Sequence, residues 1–437
     1  MLPNPFRRLT KDRRGSVAMM IAIMGAMLIA FAGLAVEVSN ALSTQRKMQA
    51  AADSAAISAA NAQSIGFPSP YTQEGFAIAA ADNFTSGQTL GCPATTATQV
   101  VYVGIPCDGP NALQPGYVEA LIKVPFTLQL AHVVFPGNFV LHGRAVAKAP
   151  TQTGGSCTLA LQGTGTTITA SGNGTITYGG CSIAANSTSA NAINTNGTNS
   201  LIVGTGVFTG GAESWGSMNI DISGSPNVPC SSSNPSCVGP AAPRINPYAD
   251  LTAPTCGSYQ NTPNSGTIGT VGATVNCYTS ITLNNSKSID LVPGTYVING
   301  TVKMTGGSLT CSTCVAGTSG VTIFLVGNNA TVDIQGGTTS LVAQPTGPAP
   351  GVLFYTAGTC SGSCANLTGG PTMTLQGAIV LPNQDLKFAG NTSTSPSSIC
   401  AVLVANTMTF TGTSNVGSSN CSTFNTKPIL NPGTLVE

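Results

Sequence analysis

Cysteine is the residue type in this chain with the most chemistry to offer, and there are fourteen of them, spread from Cys92 to Cys421. Free thiols in that number are a liability in a reducing cytosol and a framework of bridges in an oxidising compartment. Proximity in sequence is the only guide to their connectivity. It pairs Cys92 with Cys107, Cys157 with Cys181, Cys230 with Cys237, Cys256 with Cys277, Cys311 with Cys314, Cys360 with Cys364, and Cys400 with Cys421. Two other uses compete. Cys311 and Cys314 have the spacing of a redox pair, and with Cys360 and Cys364 they offer four thiolates to zinc. A redox pair needs a helix start that lowers one thiol pKa, and no helical pattern follows Cys314. Bridges are the expectation, with no metal and no other cofactor.

The remaining reactive side chains are sparse. Asp221, Ser223 and Ser225 stand in the DxSxS form of a metal-adhesion site, but that chemistry needs a helix directly after the string. Pro226 and Pro229 forbid one, so a turn is expected there. His132 and His142 have no Cys or carboxylate at ligand spacing. The distal acids Asp221, Asp250, Asp290, Asp333 and Asp385 are single and far apart, and neither HExxH nor GxSxG occurs. Catalysis is not expected. Aspartates separated by whole coils could still stack, which keeps a carbohydrate-binding or polysaccharide-lyase-like surface as the alternative class. Charged residues make up 7% of the 437 and the net charge is +1, so there is no basic field for nucleic acid.

The elements that must carry these residues begin with a span. Residues 16–36, SVAMMIAIMGAMLIAFAGLAV, hold no charge and no proline. About 20 such residues cross a ~30 Å hydrocarbon layer at 1.5 Å each. Ser16, Val17, Met20, Ile23, Leu28, Phe31, Leu34 and Val36 are read as the membrane anchor. Arg7, Arg8, Lys11, Arg13 and Arg14 precede it, which places residues 1–15 in the cytoplasm and everything after Glu37 outside. A cleaved signal peptide, with Gly33-Leu34-Ala35 as its small-x-small triplet, is the competing reading, and the length of the apolar stretch argues for retention. A prepilin cut after Gly15 is a third; it wants Glu where Met20 stands. From residue 37 to 66 an alanine-rich pattern predicts a stalk helix, with Val38, Leu42, Met48, Ala52, Ala55 and Ala59 at helical spacing.

Three strings in this region share one likeness. Arg13-Arg14-Gly15-Ser16-Val17-Ala18, then Gly33-Leu34-Ala35-Val36-Glu37-Val38, then Gln49-Ala50-Ala51-Ala52-Asp53-Ser54-Ala55-Ala56 resemble the N-terminal module of TadG-like Flp pilus-assembly proteins. Glu37 stands where Asp is commoner, and Met48 where Leu is. The resemblance implies a single-pass protein of the bacterial inner membrane, with its C-terminal bulk periplasmic or at the cell surface, that works with other tight-adherence pilus-assembly proteins. On that reading Glu37, Leu42, Met48, Ala52, Asp53, Ala55 and Ala56 form the assembly face of the stalk.

Two regions follow. Residues 67–149 predict a small α+β, pilin-like head: a helix at 74–84, strands at 100–103, 117–124 and 139–147, and a short helix at 128–134. Beyond Pro150, where 40 of the 52 glycines lie, helix formers vanish and short β runs recur every 8–12 residues or so. Cys157-Thr-Leu-Ala returns as Cys181-Ser-Ile-Ala, a spacing that suits one coil of a right-handed parallel β-helix. A sandwich or propeller is the alternative. Pro293-Gly294-Thr295-Tyr296-Val297, Gly320–Leu325 and Gly351–Tyr355 are similar to coil strings in the distal parts of TadG-like proteins. The expected fold is therefore mixed: a transmembrane helix, an α+β head, and an all-β solenoid over 150–437. The solenoid would act as a spacer or adhesive surface, with surface glycans a further partner class.

Overall fold

A computed structural model describes residues 14–65, 71–128, 137, 139–149, 364–370, 373–390, 400–418, 420–430 and 433–436, and residues 156–360 apart from 173, 180, 190, 197–199, 204–206, 210–218, 223–237 and 241–242. The chain divides into two compact units, one formed by Met1–Pro150 with Gly433–Glu437, the other by Thr151–Pro432. The boundary expected at 150–437 is thus revised at its far end, because the last residues belong to the first unit.

The first unit is built on the long helix α1, Arg14–Ile65. A shorter helix α2, Tyr71–Ala81, follows, and then strands β1 (Gln88–Thr89), β2 (Val100–Gly104), β3 (Tyr117–Phe126) and β4 (Phe139–Lys148). The expected helix start at Glu74 moves to Tyr71, since Thr72, Gly75, Phe76 and Ala79 form one buried face. β2, β3 and β4 are antiparallel neighbours, β1 runs parallel to β2, and the strand Thr434–Leu435 completes the sheet on the far side of β4. The short helix expected over 128–134 falls almost wholly outside the described residues. Among the described residues no helix is long and apolar enough to cross a membrane.

The second unit is mostly β, a curled parallel sheet of solenoid type. Its strands pair with the third strand along: Gly266–Ile268 with Ser288–Leu291, Asn276–Tyr278 with Gly294–Asn299, and Ile281–Leu283 with Val302–Met304. The same step repeats to the long strand Met373–Gly390. Three ladders therefore rise together, each coil burying its inward row on the next. That is how strands of three to six residues with few charges form a core. Tyr178, Phe410 and Phe388 stack edge-on through this core at centroid distances of 6.3 and 6.1 Å.

Stacking order departs from chain order. Ala401–Gly417 pairs on one side with Met373–Gly390 and on the other with Ser156–Ala160, Ile168–Ser171 and Thr175–Gly179. The first coil of the unit rests on its last. Ser156 N–H donates to the Ile429 carbonyl at 2.7 Å, so the two ends of the unit meet. The arrangement covers a strand edge that the first coil would otherwise leave open.

Candidate functional site

The features that carry function are considered unit by unit, beginning with α1. Met48, Ala51, Ala52, Ala55, Ala56, Ala59 and Ala60 line up on one side of this helix and are fully buried against Val101, Val103, Val118, Ala120, Ile122, Ala145 and Ala147 of the sheet. Alanine suits the position because it lets the helix axis approach the strands closely, and two glycines complete the fit. A Cβ on Gly143 would lie 2.6 Å from the backbone of Met48, and one on Gly75 would lie 2.6 Å from Val103 Cγ1.

Polar groups fix the register of that contact. Gln49 Nε2 donates to the Arg144 carbonyl at 2.7 Å and to Asp53 Oδ1 at 2.8 Å, and Gln49 Oε1 accepts from Arg144 N–H at 3.2 Å. Ser58 Oγ donates to Glu74 Oε1 at 2.9 Å, tying α1 to α2. Arg144 Nε meets the buried carboxylate of Glu119 at 2.5 Å, Arg144 Nη2 reaches Asp108 at 3.0 Å, and Cys107 N–H donates to Glu119 Oε2 at 2.7 Å. A charged, hydrogen-bonded knot therefore holds the Cys92–Cys107 loop to the strand that Gln49 grips. Beside it the Tyr102 hydroxyl is pushed up to about 12, by burial first and then by the charge of Glu119, and it donates to the Ile105 carbonyl at 2.6 Å.

This geometry corrects the expected assembly face. Met48, Ala52, Ala55 and Ala56 do pack, but against the head's own sheet, and Asp53 is engaged by Gln49. Glu37 is 7% exposed, and Leu42, at 50%, is the most exposed apolar member of the set. A single helix gives no sign of which partner its apolar row meets, so spacing alone could not distinguish an internal sheet from a second protein.

Residues 15–62, all within α1, match the model of a family described as putative Flp pilus-assembly TadE/G-like. The N-terminal helix is a TadE/G-like module. No curated protein and no solved structure matches the chain. The Gln-Ala-Ala-Ala-Asp string of the TadE/G-like module is thus the part that docks onto the head. Of the residues expected to form an anchor, Met20, Leu28, Phe31, Leu34 and Val36 are exposed. Ser16, Val17 and Ile23 lie in the helix with side chains outside the described set.

Among the described residues five bridges in the second unit join Cys157 to Cys181, Cys256 to Cys277, Cys311 to Cys314, Cys360 to Cys364 and Cys400 to Cys421, and one in the first joins Cys92 to Cys107. Among the described residues no cysteine is free, so neither a thiolate zinc site nor a dithiol is present in this state. Cys230 and Cys237 lie outside the described residues. Cys157 and Cys181, 24 residues apart, staple one coil to the next. Asp221 sits in the strand Asn219–Ile222 opposite Ile202, and the rest of its string is outside the described residues. Among the described residues no group of three or more His, Cys, Asp or Glu side chains is placed to hold a metal ion.

One face of the solenoid is organised in a way that sequence reading missed. Thr282, Lys303, Asp333, Asn366, Lys387, Thr409, Thr169 and Asn194 follow one another at a single register position through successive coils. On either side of this row the inward positions are apolar, Val302, Val332 and Leu386 on one flank and Met304, Ile334 and Phe388 on the other. A groove of about 480 Å³ opens on the face, lined by Asn366, Asp385, Lys387, Thr407, Thr409, Thr411 and Ser171 among others. Asp385 accepts from Thr407 Oγ1 at 2.7 Å and Asn406 Nδ2 at 3.1 Å, while the buried Oδ1 of Asn366 accepts no hydrogen bond from the described residues. Alternation in Thr407–Thr411 and Ile168–Ser171 was the available signal, but it does not say which strands stack. Asp333 shares this face with Asp385, whereas Asp290 lies on another ladder beside Thr310 and Ser312.

Proposed function

We propose that the chain is a non-enzymatic, membrane-anchored structural component that works with Flp pilus-assembly proteins. The observation that carries this reading is the TadE/G-like match over 15–62, which coincides with the helix docked on the head. The uncharged stretch 16–36 with its basic flank supports a single inner-membrane pass with the N-terminus in the cytoplasm. Paired cysteines support a periplasmic or cell-surface location for the rest. The solenoid, wound right-handed, then serves as a spacer or adhesive surface. Since one side of α1 is spent inside the head, contacts with other assembly proteins fall to its outer side, where Ala50 and Ser54 are exposed. Photo-crosslinkers at 50 and 54 in cells that build the pilus test this: covalent adducts with pilus-assembly proteins are expected, and a chain that yields no such adducts from either position would sink the assembly role. Membrane fractionation with thiol labelling before and after reduction tests sidedness in the same cells.

The groove on the solenoid favours a second reading, a surface that binds hydroxyl-rich glycans. Beside the apolar Ala365 and Leu386 its lining carries threonine and serine hydroxyls, the Asn366 amide, the Asp385 carboxylate and the Lys387 ammonium, groups that exchange hydrogen bonds with sugar hydroxyls. Retention of the full chain on a glycan array, lost in Asn366→Ala and Thr409→Val, would support this reading; inertness across the array would remove it.

A further inference from the structure

A second groove, apolar and about 360 Å³ in volume, lies in the first unit where α1 leaves the head. Leu34, Val38 and Leu42 form one wall, and Phe126, Phe139 and Leu141 at the end of the β3–β4 pair form the other. Phe139 is 47% exposed, an unusual state for a large aromatic in a protein with so few.

The two walls descend in step from the Gln49–Arg144 contact. Five strand residues from Arg144 to Phe139 cover ~17 Å, and eleven helix residues from Gln49 to Val38 cover ~16 Å. Charge changes in step as well. On α1 the exposed large apolar side chains end at Leu42, with Glu37 the one charged residue among them and only 7% exposed, and the exposed Arg46 and Lys47 follow. On the sheet Val124 opposite Leu141 is followed by Lys123 opposite His142. Both elements pass from apolar to basic at about the same level. A flat layer with an oily interior and anionic headgroups meets such a level boundary; a partner helix would instead meet a stripe running along α1.

We propose that this end of the head sits in the bilayer interface, with a phospholipid acyl chain in the groove and lipid phosphates against Arg46, Lys47, Lys123 and His142. The inference rests on the reading of 16–36 as a membrane anchor. Leu34 to Leu42 then begins at the edge of the hydrocarbon and crosses the headgroup zone, the ~5–10 Å depth at which interfacial apolar side chains settle.

The test uses the full chain in phosphatidylethanolamine–phosphatidylglycerol vesicles. Trp215, the only tryptophan, is replaced in a Trp215→Phe background, and single indoles are introduced by Phe139→Trp and, as a control in the span, Phe31→Trp. Spin-labelled lipids quench at known depths. At position 139 the expected result is about twofold or greater quenching by lipids labelled near the glycerol, and less by chain-end labels. Position 31 should show the reverse order. Quenching at 31 without quenching at 139 would overturn the interfacial groove and leave the anchor standing. Absence of quenching at both would overturn the anchor as well. Leu128→Trp, on the same groove, guards against a local defect at 139 and should quench as 139 does.

Discussion

Gln49 and Arg144 exchange two hydrogen bonds across 95 residues of chain, the glutamine amide acting as both donor and acceptor to the backbone of a strand residue. A side-chain amide used in this way does for a helix what a neighbouring strand does in a sheet: it satisfies one N–H and one C=O and sets the register of contact. Gln49→Ala should therefore lower the stability of the first unit by about 1–3 kcal/mol, the cost of leaving partly buried groups without a partner. Gln49→Glu should do no better, because it removes the donor and sets a carboxylate beside Asp53. Urea unfolding followed by far-UV circular dichroism reads both; unchanged midpoints would mean that the clamp carries no load.

Ala52 offers a sharper separation of internal packing from partner binding. Ala52→Glu buries an unpaired charge against the sheet and should cost about 3–5 kcal/mol, unfolding the head. Ala50→Glu and Ser54→Glu, on the outer side of the same helix, should change stability by less than about 0.5 kcal/mol. Lost pilus assembly in the two outer variants with a folded head would locate the partner surface; a folded head in Ala52→Glu would contradict the buried alanine row.

The coil-to-coil staple at Cys157 and Cys181 closes a loop of 24 residues. Replacing both by Ser should destabilise the second unit by about 2–4 kcal/mol. Differential scanning calorimetry should show the transition of that unit falling while the transition of the first unit stays in place. A matched fall in both would contradict their independence.

Asp290 gives the solenoid a pH dependence with a definite sign. Burial acts to raise its pKa, but hydrogen bonds from Ser312 and Thr310 outweigh this and hold the carboxyl below its ordinary value of 3.8. A carboxylate depressed in the folded state adds stability above its unfolded pKa, and that stability is lost as pH falls through the folded value. Asp290→Asn should thus melt earlier than the parent at neutral pH, and the gap should close as pH drops below 3.8. A gap that stays constant down to acid would rule out the charge as its source.

The strand Thr434–Leu435 and the Gly433 N–H bond to Asn61 Oδ1 at 2.6 Å close the first unit with the last residues of the chain. Deleting 433–437 should expose the outer edge of β4. Hydrogen exchange of the amides along Ala147 and Lys148, which pair with Leu435 and Thr434, should then speed up, with no change in the solenoid. Unaltered protection at the β4 edge would show that the tail pairs only weakly.

Much of this was legible beforehand because it depends on local rules. Val100–Gly104, Tyr117–Phe126 and Phe139–Lys148 are strands where β-branched and aromatic residues alternate. Strands such as Ile281–Leu283 and Val352–Tyr355 were marked out by the glycine and asparagine that flank them. Ser308–Thr310 and Thr338–Val342 were not foreseen, since threonine and serine runs between glycines look like loops until a neighbouring coil supplies their hydrogen bonds. The clamp at Gln49 was visible as part of a motif, but its target, a backbone 95 residues away, was not.

Composition and periodicity by themselves determined that the chain has a long N-terminal helix, an α+β segment and a charge-poor β array, because secondary structure and the burial pattern of a strand depend on residues a few positions apart. Tertiary structure alone decided which surface the alanines cover, which coil the first coil rests on, and where the C-terminus returns. Those outcomes turn on pairings between segments tens to hundreds of residues apart, whose free energies are set by the fit of whole faces.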